Sequence, residues 1–161
     1  MERSDETGCQ PEITGRRKQY IVTDNYIGIM IESLRRKKDV LTDILKLSEE
    51  QSILLDDPNL EPDTFEKNVN RKAALIEKLE QLDTGFESLY DKVKEELESN
   101  RDIHKEQIRQ MQELIRALTE LNMQIQATEA RNKEKASLLI SGSRQRKSAV
   151  ARRSSKNIII I

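Results

Sequence analysis

The triplet Asp83-Thr84-Gly85 is the stretch of the sequence whose residue types first suggest chemistry. Asp-Thr-Gly carries the reactive carboxylate in aspartic proteases, where two such aspartates share a proton and activate water. The triplet acts there in a tight turn of a β-rich body. Here helical sequence surrounds it, because apolar residues recur every three or four positions on both sides. We therefore predict that Asp83 lies on a helix as a solvated or interfacial carboxylate without a catalytic role.

No other residue pattern is typical of a catalytic or metal centre. His104 is the only histidine and Cys9 the only cysteine. Neither has a second His or Cys nearby in the sequence, so we expect no metal site and no nucleophilic pair. Charged neighbours of His104 predict that its side chain faces solvent. The five glycines are scattered, which argues against a Gly-rich phosphate loop. We predict a protein that is not an enzyme and has no cofactor or metal.

The composition indicates long helices. Charged residues make up 35% of the 161 residues, aromatic residues only 3%, and tryptophan is absent. A chain this poor in Gly and Pro and this rich in helix-forming residues is typical of helices joined along a narrow seam. Residues 142–161 hold six basic residues and no acidic one, whereas residues 1–141 hold 22 basic and 29 acidic residues. The body is therefore acidic and the tail basic.

The fold class predicted from these patterns is all-α. It is an antiparallel long-helix hairpin with a third helix, in a coiled-coil-like or three-helix-bundle arrangement. Two prolines in 56-DDPNLEP-62 separate the first two helices, and 98-ESNRD-102 favours a break before the third. The predicted parts are a mobile arm over 1–22, a helical domain over 23–141 with helices at about 24–56, 64–98 and 102–141, and a basic disordered tail over 142–161.

Local signals refine these boundaries. Asp63 and Glu66 resemble a capping box, which predicts that the second helix begins at Asp63. Gly142 is expected to end the third helix. The block 35-RRKKD-39 is predicted to face water. The first helix is predicted to turn one apolar face inward, formed by Ile27, Ile31, Leu34, Leu41, Ile44 and Leu45.

Three segments of the chain together resemble a known family. They are 30-MIESLRRKKDVLTDILKLSEEQSILL-55, 71-RKAALIEKLEQLDTGFESLYDKVKEEL-97 and 108-IRQMQELIRALTELNMQIQATEARNK-133. They are similar to the FlgN-type flagellar export chaperones, and the resemblance covers about residues 27–155. It is most specific in the run from Lys72 to Leu79 and in Leu82-Asp83, Phe86 and Leu89-Tyr90. The resemblance implies a small, cytosolic, helical protein that holds hook–filament junction proteins before secretion and delivers them to the flagellar export gate.

The resemblance also implies where the client binds. In that family an amphipathic helix near the C-terminus of the client binds to the C-terminal helical region of the chaperone, so the third helix is the expected receiving element. Its apolar stripe has the spacing of helix-in-groove binding, and methionines suit surfaces that repack around partners. The client-binding residues predicted on this basis are Met111, Leu114, Ile115, Leu118, Leu121, Met123 and Ile125.

The same stripe has two other interpretations. It is equally typical of the core of a three-helix bundle, or of a coiled-coil seam with a second copy of the chain, which would form a homodimer. Two other functions therefore stay open. One is a structural coiled-coil adaptor that only scaffolds, and the other is a chaperone of the filament cap, as in FliT-type proteins.

The ends of the chain suggest partners and location. The basic tail has no aromatic residue to stack on bases, so specific nucleic-acid binding is not expected. As a hypothesis, its cations steer the protein to an acidic surface of the export machinery. The longest apolar run, Ile158 to Ile161, is too short to span a bilayer. The polar start does not resemble a signal peptide, so we predict a cytoplasmic protein without membrane insertion.

Overall fold

The computed structural model describes residues 10–143, and the side chains of residues 22–142. Three helices make up this part of the chain: α1 Gln10–Asp56, α2 Pro62–Ser99 and α3 Lys105–Ser143. No strand occurs between residues 10 and 143. The predicted all-α class with three long helices is therefore confirmed. The predicted basic tail lies outside the described residues from residue 144 onwards.

The turn between α1 and α2 follows from its prolines and aspartates. α1 ends at Asp56, as the sequence predicts, and Pro58 carries no N–H for a further helical hydrogen bond. The Asn59 N–H donates to the Asp57 carboxylate at 2.8 Å, which tightens the turn. The connection is so short that α2 must return alongside α1, antiparallel to it.

The start of α2 differs from the prediction. Pro62 occupies the first turn, because its fixed φ suits that position and its missing N–H is not needed there. The predicted N-cap at Asp63 is therefore wrong. Glu61 occupies the N-cap position without a side-chain hydrogen bond. Asp63 lies in the first turn, where its negative charge interacts favourably with the helix dipole.

The predicted break between the second and third helices is confirmed. α2 ends at Ser99, a turn occupies residues 100–104, and α3 begins at Lys105. The Asn100 N–H donates to the Glu96 carbonyl at 2.9 Å and closes the last turn of α2. Asn, Ser and Asp favour such non-helical backbone because their side chains compete for backbone hydrogen bonds. The chain reverses a second time here, so α3 runs parallel to α1.

α1 lies between the other two helices and packs along both of them. The contacts that fix the directions are Ser33–Leu82 and Gln51–Lys72 between α1 and α2, and Ser48–Asn132 and Asp56–Lys135 between α1 and α3. Among residues 10–143, no Cα atom of α2 lies within 8 Å of one in α3. α1 is therefore the shared packing partner, and the backbones of α2 and α3 lie further from each other than either does from α1.

The hydrophobic core follows this arrangement. The six α1 residues predicted to face inward are confirmed: five are buried, and Leu45 packs against them partly buried. Neighbouring positions on α1 are buried together, Met30 with Ile31 and Val40 with Leu41, because a helix flanked on two sides needs an apolar face wider than one stripe. The main buried cluster comprises Ile27, Met30, Ile31, Leu34, Val40, Leu41 and Ile44 of α1, Leu79 and Val93 of α2, and Met111, Leu118 and Ile125 of α3.

The helix ends extend beyond the predicted domain boundaries. The sequence predicts a helix start near Asp24, whereas α1 begins at Gln10. Pro11 is tolerated because it falls in the first helical turn, and the single Gly15 weakens a helix without interrupting it. The described part of the predicted arm is therefore helical, and residues 1–9 lie outside the described residues. At the other end α3 continues to Ser143, one residue past the glycine expected to stop it.

Leu41 is expected to be one of the residues on which stability depends most, because it is fully buried at the centre of α1. Leu41→Ala should lower the free energy of unfolding by about 2–5 kcal/mol. Ile53→Ala is the matched control on the same helix, since Ile53 is 71% exposed, and should change it by less than about 0.5 kcal/mol. Urea denaturation followed by circular dichroism measures both. Equal decreases in the free energy of unfolding in the two variants would contradict the assignment of Leu41 to the buried core.

Candidate functional site

Asp83 of the Asp-Thr-Gly triplet lies inside α2 and forms an ion pair with Lys37 of α1. The Lys37 side chain is 5% exposed and that of Asp83 is 28% exposed, so the prediction of an interfacial carboxylate on a helix is confirmed. The prediction that the cation block faces water is wrong for Lys37, because this position falls on the α1 face that meets α2. It is confirmed for Arg35 and Arg36, which are exposed and pair with Glu32 of their own helix.

His104 is buried, which makes the predicted solvent-facing position wrong. It lies in the turn before α3. The periodic spacing of helical residues therefore could not predict its burial. Its Nδ1 is 3.3 Å from the Asp24 carboxylate of α1, and its Nε2 is 3.9 Å from the Glu96 carboxylate of α2. The imidazole therefore lies between the two helices at this end of the bundle, and neither of its nitrogens has a hydrogen-bond partner among the described residues. Among the described residues, no group of three or more His, Cys, Asp or Glu side chains is arranged to hold a metal ion.

An apolar groove lies between α2 and α3, where these helices stand apart. Its volume is about 300 Å³, within the range of ligand-binding clefts. Met30 of α1 is among its lining residues, and Glu98, Arg101 and Gln112 supply its polar groups. The apolar lining residues from the two flanking helices are Phe86, Tyr90 and Leu97 of α2 and Ile108, Met111 and Ile115 of α3. Because this groove is lined mainly by apolar side chains of two helices that stand apart, we take it as the candidate site.

Two aromatic residues of α2 mark this groove, and the sequence-based prediction of the site missed them. Phe86 and Tyr90 stack with ring centroids 6.5 Å apart and 19° between the ring planes. The chain has only two Phe and three Tyr residues, and these two lie one helical turn apart on a wall that faces solvent. Aromatic residues are enriched at the centres of binding interfaces. Their i,i+4 spacing on the apolar stripe of α2 was the available sequence signal.

The structure divides the predicted client-binding residues into four groups. Met111 and Ile115 line the groove. Leu118 and Ile125 are fully buried in the core, and Leu114 and Leu121 pack partly buried against it. Met123 is 64% exposed on the outer side of α3. The bundle-core interpretation therefore holds for Leu118 and Ile125, and only Met111 and Ile115 of the predicted set line the groove.

A buried polar layer crosses all three helices at the end of the bundle opposite His104. It consists of Ser48, Gln51, Asn68, Lys72, Glu129 and Asn132. Lys72 of α2 forms an ion pair with Glu129 of α3, and its ammonium also donates to the Gln51 side-chain oxygen at 3.0 Å. Through this ion pair the side chains of α2 and α3 contact each other directly. The sequence signal was Lys72, a charged residue on an otherwise apolar stripe.

Two opposing effects act on the charge of Lys72 in this layer. Burial lowers the pKa of the Lys72 ammonium below its usual range, because desolvation disfavours the charged form. The neighbouring Glu129 carboxylate opposes that effect by its charge and by its hydrogen bond. The ammonium is therefore held in place by its partner and would be costly to bury alone.

Lys72→Met is expected to lower the free energy of unfolding by about 1–3 kcal/mol, because Glu129, whose side chain is only 13% exposed, then loses its cation. The double variant Lys72→Met/Glu129→Leu removes both charges and should recover most of that loss. Urea denaturation of the three proteins measures the two differences.

The control is the exposed pair of Arg109 and Glu106 on the surface of α3, which are 2.7 Å apart. Arg109→Met should leave the unfolding transition nearly unchanged, because solvent screens such pairs. A Lys72→Met protein as stable as the parent chain would show that Glu129 is not enclosed by the bundle.

No described helix combines the length and apolar character needed to cross a membrane. Comparisons with protein-family models, with curated proteins and with solved structures found no match to this chain.

Proposed function

We propose that this chain is a cytosolic flagellar export chaperone that binds hook–filament junction proteins before their secretion. The single observation that carries the proposal is the apolar groove between α2 and α3, which is open to the apolar side chains of an amphipathic helix. The client would be held through its C-terminal helix. Its own assembly surface would stay covered until the client is handed to the export machinery.

The resemblance to FlgN-type chaperones supports the proposal from the sequence side. The part of the resemblance that is most specific includes Phe86 and the segment Leu89-Tyr90. These residues lie on the α2 wall of the groove or next to it. Two residues of the resemblance, Phe86 and Tyr90, therefore line the groove, whereas the run from Lys72 to Leu79 does not.

The form of the groove supports a helical client. Its two walls are helices that both pack on α1, so a helix lying between them would give α1, α2, α3 and the client a four-helix arrangement. Apolar side chains of such a client would enter beside Met30 and Met111. Methionine is flexible and polarizable, so it repacks around side chains of different shape. Arg101 and Glu98 at the rim offer one charge of each sign to a polar flank of the client.

The client-binding residues in this proposal are fewer than the predicted set. Ile115 is 36% exposed and Met111 lies deeper in the same groove. Leu118 and Ile125 serve the core instead, so polar substitutions there should unfold the bundle rather than act on binding. The basic tail remains the proposed contact to an acidic surface of the export machinery, by long-range attraction that salt weakens.

Ile115→Asp is expected to weaken binding of a hook-associated C-terminal segment by about 30-fold or more, the effect of losing one interface hot spot. Met123→Asp is the matched control, because Met123 lies on the same helix and is 64% exposed but is not part of the groove. It should leave binding nearly unchanged. Titration calorimetry with purified chain measures both affinities, and far-UV circular dichroism checks that helicity is retained.

Co-purification with candidate segments separates failure of the site from failure of the function. C-terminal segments of hook-associated proteins are tested beside a filament-cap segment. Capture of a hook-associated segment with equal losses in both Asp variants would keep the function and reject the groove. Capture of the filament-cap segment alone would favour the FliT-type alternative. A stable dimer that captures no segment would reject the chaperone proposal in favour of a coiled-coil scaffold.

A further inference from the structure

The contacts that α3 makes with the rest of the bundle change in kind after Ile125. Up to that residue α3 packs through apolar side chains, and Met111, Leu118 and Ile125 are buried in the core. Beyond it, between residues 126 and 142, Ala136 is the one buried hydrophobic residue among the described side chains. Of the larger apolar residues of this segment, Leu138 and Leu139 are exposed and Ile140 is partly buried.

Polar contacts replace the missing apolar ones. The Asn132 side-chain amide donates to the Ser48 carbonyl at 2.8 Å and to the Gln51 side chain at 3.1 Å. The Ser48 hydroxyl donates to the Glu129 carboxylate at 2.6 Å. Near the end of the segment, Lys135 bonds the Ser52 hydroxyl and the Asp56 carboxylate, each at 2.8 Å. The second half of α3 is therefore attached to α1 almost entirely by hydrogen bonds and ion pairs.

Each neutral hydrogen bond of this kind contributes only about 0.5–1.5 kcal/mol net, because water can replace it when the surfaces separate. Three buried atoms of the polar layer would gain a hydrogen bond to water when the surfaces separate. Gln51 Nε2, Glu129 Oε2 and Asn132 Oδ1 are buried and have no protein hydrogen-bond partner among the described residues. Opening this half of α3 would hydrate all three atoms and would return the charges of Lys72 and Glu129 to water, which offsets the loss of their pairing.

The corner between α1 and α2 does not depend on this half of α3. A second apolar cluster holds the corner through Leu55, Phe65 and Val69, and Ala136 is the only residue that α3 adds to it. The Asn68 side chain also bonds the Leu47 carbonyl across the same pair of helices, at 3.0 Å. Separation of α3 after Ile125 would therefore leave α1 and α2 packed together.

We propose that residues 126–143 form an arm that opens as one unit away from α1 and α2, while the first half of α3 stays packed on the core. Opening uncovers a surface made of the polar layer and the edge of the corner cluster. Opening costs less free energy than global unfolding, because the apolar core stays packed, and a partner that binds the open state would shift the equilibrium by its differential affinity for that state. This device lies at the opposite end from the groove and does not rest on the proposed function.

Hydrogen–deuterium exchange of the full chain tests the arm directly. Backbone amides of residues 126–136 are expected to exchange together, at least about tenfold faster than those of residues 107–125, because they share one low opening free energy. Equal protection in the two segments would overturn the proposal. A smooth decline in protection from residue 125 to residue 143 would also overturn it, because that gradient is fraying of a helix end and not the opening of a unit.

Two double variants identify the polar layer as the cause. Lys72→Met/Glu129→Leu replaces the buried pair by apolar contacts and should slow exchange of residues 126–136 about tenfold, with residues 107–125 unchanged. Lys37→Met/Asp83→Leu makes the same kind of replacement in the pair that joins α1 to α2 and should leave the arm unchanged. Equal slowing in both variants, or slowing in neither, would overturn the assignment to the polar layer. If the first variant does not fold, the comparison within the parent chain still decides the proposal.

Discussion

The constraint on which the structure depends is that one helix serves as the packing partner of two others. α1 meets α2 on one side and α3 on the other, and the two flanking helices do not approach each other through their backbones in the described part of the chain. Apolar burial is thus concentrated on α1, which supplies seven of the twelve residues of the main buried cluster. Because burial of apolar area is the dominant favourable term in folding, the stability of both flanking helices depends on this one face.

Two features follow from this geometry, one at each end of the bundle. Where α2 and α3 stand apart near Met30, a groove with aromatic and aliphatic walls remains open. A partner helix is the occupant that we propose for it. Where the core continues past Ile125, polar side chains fill the space between the three helices instead. A buried ion pair adds little to stability, and its best-attested role is to fix how two helices are aligned along their axes. The same polar layer can therefore align α2 with α3 and leave the end of α3 weakly held.

The helices and the antiparallel hairpin of α1 and α2 were predictable from the sequence, and the separation of α2 from α3 was not. Apolar spacing, Pro58 and the Ser-Asn-Asp cluster near residue 100 predicted the class and both connections, because these signals are local. The burial of His104 and of Lys37 was missed, since each depends on a carboxylate far away in the sequence. Part of the groove was within reach, because Met111 and Ile115 belong to the predicted stripe. Its other wall, with Phe86 and Tyr90, requires knowledge that α2 and α3 stand apart.

The central claim is that a client helix lies between α2 and α3, and site-specific photo-crosslinking tests it most directly. A photoreactive amino acid is placed at Gln112, on the rim of the groove, and in a second protein at Lys46, which is exposed on α1. Both proteins are irradiated with a bound C-terminal segment of a hook-associated protein. The account predicts a crosslink to the helical segment from position 112 and none from position 46. A complex that forms normally but crosslinks only from position 46, or equally from both, would contradict it.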